Sequence, residues 1–239
     1  MFFQYPVSGD THLWVMEQFE WAADMGLLRA DTPLVTLDRS FFTAPSGDAQ
    51  KTAAALLADF KRILRIPEAQ IDLLPLDRLK AEYRYDPTSA VQVAGTWQGD
   101  AGTALIRYDP EDMRALPVSF LATMGHEVMH HVLRGLPELP PGGEEAEELS
   151  TDLMCICMGL GLLQMAGAEQ SGWQGYLRQT TRAHALAAFL LARGMDLKAV
   201  TALLPPRSAG LVNKALRHLQ KDRESLRRLQ ELAPKRAEG

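Results

Sequence analysis

Apolar positions recur every three to four residues along much of the chain, and these stretches predict most of its helices. Near the start, Leu13, Met16 and Phe19 with Trp14 and Trp21 give a mixed apolar face to a helix over about 10–28. A cleaner stripe, Ala53, Leu56, Leu57, Phe60, Ile63 and Leu64, predicts a helix over 48–64 with Ser46 or Asp48 as its cap. The character then changes to strands at 70–76, 91–98 and 103–108. The link Gly99-Asp100-Ala101-Gly102 between the last two predicts a hairpin.

Helical spacing returns with Leu121, Met124, Val128 and Val132, which predict a half-buried helix starting at Pro117, a residue suited to a first turn. Residues 135–143 are rich in Gly and Pro and read as a connector. The acidic run from Glu144 opens a second helix, whose apolar stretch Leu153–Leu163 reads as buried core. Beyond residue 170 only helices are predicted, at 177–193, 196–204 and 208–232, with Pro205-Pro206 between the last two. In the final helix Leu216, Leu219, Leu226, Leu229 and Leu232 alternate with basic residues. It is expected to pack on its own domain with a solvated basic face; a dimer contact through it is the alternative. The tail 234–239 is expected to be disordered.

Composition limits what these elements can be. At 239 residues and 46% apolar content, one domain with a proper core is expected: a mixed part at 1–115, central helices at 116–170 and a helical part at 171–239. A net charge of −5 argues against a nucleic-acid surface. No secretory signal and no run of about 18 apolar residues is read, so a cytoplasmic protein with no membrane role is expected. Cys155 and Cys157, two apart on a helix, point to different sides and are expected to be reduced.

The candidate chemistry lies on the Pro117 helix. Residues 126–131 read His126-Glu127-Val128-Met129-His130-His131, and the first five match the His-Glu-x-x-His pattern of a catalytic zinc site. Four residues apart on a helix, His126 and His130 share a face and can reach one ion, while Glu127 lies about 100° around, where a base acting on water belongs. His131 points elsewhere and is expected to be a partly exposed neighbour or a substrate contact. Catalytic zinc usually has three protein ligands. Among the glutamates opening the next helix, Glu148 shares a face with Asp152, so Glu148 can close the set while Asp152 accepts a ligand histidine's free N–H. Glu147, one residue earlier, is the competing ligand.

The order His-Glu-x-x-His, short connector, Glu-x-x-x-Asp resembles the gluzincin branch of the zincin metallopeptidases, over residues 117–163. Looser likeness in Thr151-Asp152-Leu153, Gly159-Leu160-Gly161 and Gly175-Tyr176-Leu177 is to a group of largely uncharacterised bacterial zincin-like proteins. The resemblance implies that His126, His130 and Glu148 bind Zn2+, that Glu127 is the general base and that Asp152 orients a histidine. It implies an α+β fold, mainly helical, with a small antiparallel sheet beside the active-site helix. The implied reaction is hydrolysis of a peptide or protein substrate by a water the zinc acidifies and Glu127 deprotonates. The family takes a further oxyanion donor from downstream helices; among Tyr176, Arg182 and His184, His184 is preferred and Tyr176 second. Strand 103–108 is expected at the sheet edge, where an extended peptide could pair with it. The alternative reading is a catalytically silent scaffold that binds a protein partner, but a structural site has no use for Glu127 and normally fills a fourth ligand position.

Overall fold

The computed structural model describes residues 6–43, 48–76, 95–99, 103–173 and 175–232. Ser46, strand residues 91–94 and the tail 234–239, each given a role above, lie outside them. The elements are α1 (Gly9–Asp24), α2 (Ala49–Ile63), β1 (Gln70–Pro75), β2 (Gly95–Gly99), β3 (Thr103–Tyr108), α3 (Pro110–Ala115), α4 (Pro117–Arg134), a 3-10 turn (Gly143–Ala146), α5 (Glu147–Cys155), a π turn (Ile156–Leu160), α6 (Gly161–Gln170), α7 (Gln179–Ala192), α8 (Leu197–Thr201), α9 (Pro206–Leu219) and α10 (Arg223–Leu232). The fold is mainly helical with one small sheet, in line with the α+β expectation. The chain forms two compact units, residues 37–135 and residues 1–36 with 136–239.

In the unit 37–135, α2 buries its whole expected stripe, and the Asp48 carboxylate accepts from the Lys51 N–H as N-cap. The sheet corrects two expectations. Its order is β1-β3-β2; β2 and β3 pair antiparallel, as a hairpin should, but β1 runs parallel to β3, so the sheet is mixed and not antiparallel. β2, which lies between them in the chain, runs opposite to both. Strand 103–108 is also not an edge. With β1 on one side and β2 on the other, its ladder is full, and β1 and β2 are the outer strands among the described residues. The short α3 was not anticipated, although Asp109-Pro110-Glu111-Asp112 carries a cap, a first-turn proline and first-turn acids, and Asp109 does accept from the Glu111 N–H.

Helix α4 starts at Pro117 as expected and packs on α2, α3, β2 and β3. It is more deeply set than half-buried. All ten residues from Met124 to Leu133 are buried, including four that ionise.

In the other unit, Ser8 caps α1 by accepting from Thr11 N–H, and Met16 and Phe19 are fully buried while Leu13 points outward at 53% exposure. The expected single helix through Leu153–Leu163 is broken. Gly159 takes φ +92 inside the π turn, and its carbonyl accepts from the Val35 N–H at 2.9 Å. Gly143–Gln170 is long and apolar enough by length and composition to cross a membrane, but 83% of its most apolar stretch is buried in the protein, as a core helix would be. Neither Cys155 nor Cys157 is in a disulfide and both are buried, and burial pushes the Cys157 thiol well above its ordinary range. The expected helix 208–232 is two helices. Asp222 ends the first and caps the second, accepting from the N–H and the hydroxyl of Ser225, and α10 then packs on α1 and α7 of its own unit.

Candidate metal centre

Sequence spacing places His126 and His130 one turn apart on α4, and the structure brings their Nε2 atoms to 3.1 Å with the rings edge to face. Both are under 10% exposed, as are Glu127 and His131. His131 is therefore not the partly exposed neighbour expected of it. Polar groups are rarely retained in so apolar a setting without a partner or a role. Two nitrogens on one tetrahedral zinc, each about 2.0–2.1 Å from it, stand about 3.3 Å apart. The observed pair is within a few tenths of that, so the two imidazoles fit such an ion.

Glu127 opens onto the surface that α4 shares with the sheet. It lines a shallow groove of about 10 Å³ with Ile106, Arg107 and Tyr108 from β3 and Phe120, Thr123 and Met124 from α4. Nothing in the sequence pattern flagged Arg107 or Tyr108, because a groove between strand and helix appears only once the two pack together.

The other candidate residues belong to the unit 1–36 with 136–239. Glu147 and Glu148 open α5, both half-buried, and Asp152 lies one turn after Glu148 at 3% exposure. Oδ2 of Asp152 accepts from the Tyr176 N–H at 3.1 Å, the Leu177 N–H at 3.0 Å and Nη2 of Arg182 at 2.9 Å. The Tyr176 ring itself is 52% exposed.

His184 is elsewhere. Its ring is fully buried, its Nε2 is 2.9 Å from Nδ1 of His12, and His12 Nε2 is 2.9 Å from the Ser225 hydroxyl. Of the two residues expected as oxyanion donor, His184 has no exposed surface to offer a substrate and Tyr176 has. His12 went unnoticed in the sequence, though it stands one turn before Met16 on the buried face of α1.

The His12–His184 contact is a structural device with a pH signature. Burial, reinforced by the positive charge His12 and His218 would carry, lowers the His184 pKa to about 3, and burial lowers those of His12 and His218 too. The folded chain holds His184 neutral while the unfolded chain protonates it near pH 6.5. The stability it supports is thus present above about pH 6.5 and drains away as pH falls toward 3. At about 1.4 kcal/mol per pKa unit, about 2 kcal/mol should be gone by pH 5. Urea unfolding of wild type and His184→Gln at pH 7 and pH 5 checks this: the wild type should lose more between the two, and equal losses would remove His184 as the cause.

No protein-family model, no curated protein and no solved structure matches the chain, so its functional reading stands on the geometry above and on the resemblance of residues 117–163.

Proposed function

We propose that the protein is a zinc-dependent hydrolase, most simply a peptidase, with His126, His130 and Glu148 as ligands and Glu127 as general base. The observation that carries the reading is a buried pair of imidazoles on α4, Nε2 to Nε2 at 3.1 Å, next in sequence to a carboxylate that lines a groove. Glu148 at the start of α5 has the carboxylate oxygen that, with two imidazole nitrogens, makes the donor set such an ion takes. Glu148 is preferred to Glu147 because it shares a helical face with the buried Asp152.

Bound zinc would supply a water acidic enough to ionise near neutrality and a Lewis acid for a carbonyl oxygen. The protein's own residues do the rest. Glu127 takes the proton of the attacking water and returns it to the leaving nitrogen. Asp152 accepts the outer N–H of a ligand histidine, fixing its tautomer. Tyr176, with its phenol exposed, is the donor for the developing oxyanion. An extended backbone has β2, not β3, to pair with, since β3 already has neighbours on both sides.

Metal content of protein purified without chelator tests the ligand set. About one zinc per chain is expected, lost in His126→Ala and Glu148→Ala and kept in Glu147→Ala. If Glu147→Ala loses the metal and Glu148→Ala keeps it, the third ligand is off by one residue. A wild type that neither holds zinc nor takes it up would favour the silent-scaffold alternative, with a protein partner to be sought instead.

A further inference from the structure

Arg182 has no part in the chemistry above, yet it is one of the largest fully buried side chains, at 1% exposure on α7. Its Nη2 donates to Oδ2 of Asp152, while its Nε and Nη1, equally buried, have no hydrogen-bond partner among the described residues. A guanidinium stripped of water for a single carboxylate is a poor way to stabilise a core: apolar side chains of the same volume serve as well or better. What the pair does offer is a fixed direction for the carboxylate.

The detail of that contact shows how. Oδ2 of Asp152 receives three donors: the guanidinium and the main-chain N–H groups of Tyr176 and Leu177. The turn that delivers the two amides starts at Gly175, with φ +107. A Cβ there would stand 2.5 Å from Nη2 of Arg182 and 3.5 Å from Oδ2 of Asp152, so only glycine lets the turn close down on the pair. Three donors converging on one oxygen set the rotation of the whole carboxyl group, and with it the direction of Oδ1.

We propose that Arg182 is a positioning residue for the metal centre: with the Tyr176 and Leu177 amides it pins Oδ2 of Asp152 and so fixes the direction of Oδ1, the oxygen left for the orienting role proposed for this carboxylate. The same contact ties the turn carrying Tyr176, the oxyanion donor, to the carboxylate that orients the ligand. This inference rests on the metal reading of the preceding section and adds a residue to it that touches neither metal nor substrate.

Cobalt(II) is the probe, because its visible ligand-field spectrum reports the geometry of the ligands and its affinity can be read by competition with a chelator. The full chain is compared as wild type, Arg182→Met, Arg182→Lys and Arg228→Met. The last removes an arginine that pairs with Glu20 on the surface of the same unit and serves as control. Arg182→Met should weaken cobalt binding about tenfold, the lower end of the usual loss when a residue supporting a ligand is removed, and should shift the spectrum. Arg182→Lys, which keeps a cation near Oδ2, should recover part of both, and Arg228→Met should change neither. A purely structural arginine would alter thermal stability and leave the spectrum alone. If Arg182→Met does not fold, Arg182→Gln and Gly175→Ala, which crowds the guanidinium from outside, carry the same expectation. Folded variants with wild-type affinity and spectrum, in a protein that does bind cobalt, overturn the inference alone. A wild type that binds no cobalt overturns the metal reading and this inference together.

Discussion

Glu127→Gln is expected to lower peptide hydrolysis by about 10³-fold, within the range a positioned acid–base group supplies, while zinc content stays at the wild-type level. The substitution keeps the shape of the side chain and removes only its ability to hold a proton. Glu127 is next to His126 in sequence and is proposed as base and not as ligand, so metal binding is expected not to change. KM should stay close to wild type and the loss should fall on kcat, because a base acts on the transition state and not on the bound substrate. The fold should survive: a neutral amide at a site 7% exposed is cheaper to desolvate than a carboxylate. A substrate from a peptide library, followed by kcat and KM for both proteins and a metal determination on each, is the measurement. Undiminished kcat would remove Glu127 from the mechanism; lost zinc would make it a ligand and the ligand set wrong.

The largest expected effect on stability is at Gly159. A Cβ there would lie 1.9 Å from the carbonyl oxygen of Pro33, a backbone atom that cannot swing aside, and φ of +92 is one that side-chain-bearing residues rarely adopt. Strain at such a dihedral costs about 1–3 kcal/mol and forced overpacking about as much again. The bond from Val35 N–H to the Gly159 carbonyl would go with them, at about 1 kcal/mol. Gly159→Ala should therefore lose about 4 kcal/mol, a large part of the 5–15 kcal/mol typical of a domain. Gly172 is the matched control. It also has positive φ, +75, but open space around its missing Cβ, so Gly172→Ala should cost only about 1 kcal/mol. Urea unfolding of the two variants decides it; equal losses would mean that the contact with Pro33 is not tight in solution.

Much of the helical framework was legible because its physics is local. The Asp48 cap, the α2 stripe and the Pro117 start of α4 each depend on residues within a turn or two of one another. The His126 and His130 pair was legible for the same reason. What the sequence hid was set by distant contacts. Nothing in residues 70–76 or 103–108 encodes that these strands pair parallel, or that the second is central, because strand order and direction depend on which distant segments meet. The break at Gly159 is dictated by the approach of Pro33, over a hundred residues earlier. The burial of His184 was hidden because His12, its partner, is 172 positions away. The split at Asp222 was local and was still missed: the leucine periodicity runs across it, and an aspartate three residues before a serine weighed less than it should have.

The unit built from residues 1–36 and 136–239 has its first helix tied to its last. His12 bonds Ser225 and Glu20 bonds Arg228 across more than two hundred residues, whereas the unit 37–135 is continuous. Chain closure over such a span carries an entropy cost that grows with the logarithm of its length, so α1 gains little by docking before α10 exists. On a ribosome the continuous unit can complete its core while α1 still waits for its partners. The order of assembly is thus the reverse of the order of synthesis for the first helix: the segment made earliest is among the last to be locked in place, and until then its buried face, Val15, Met16 and Phe19, is what a chaperone would find exposed.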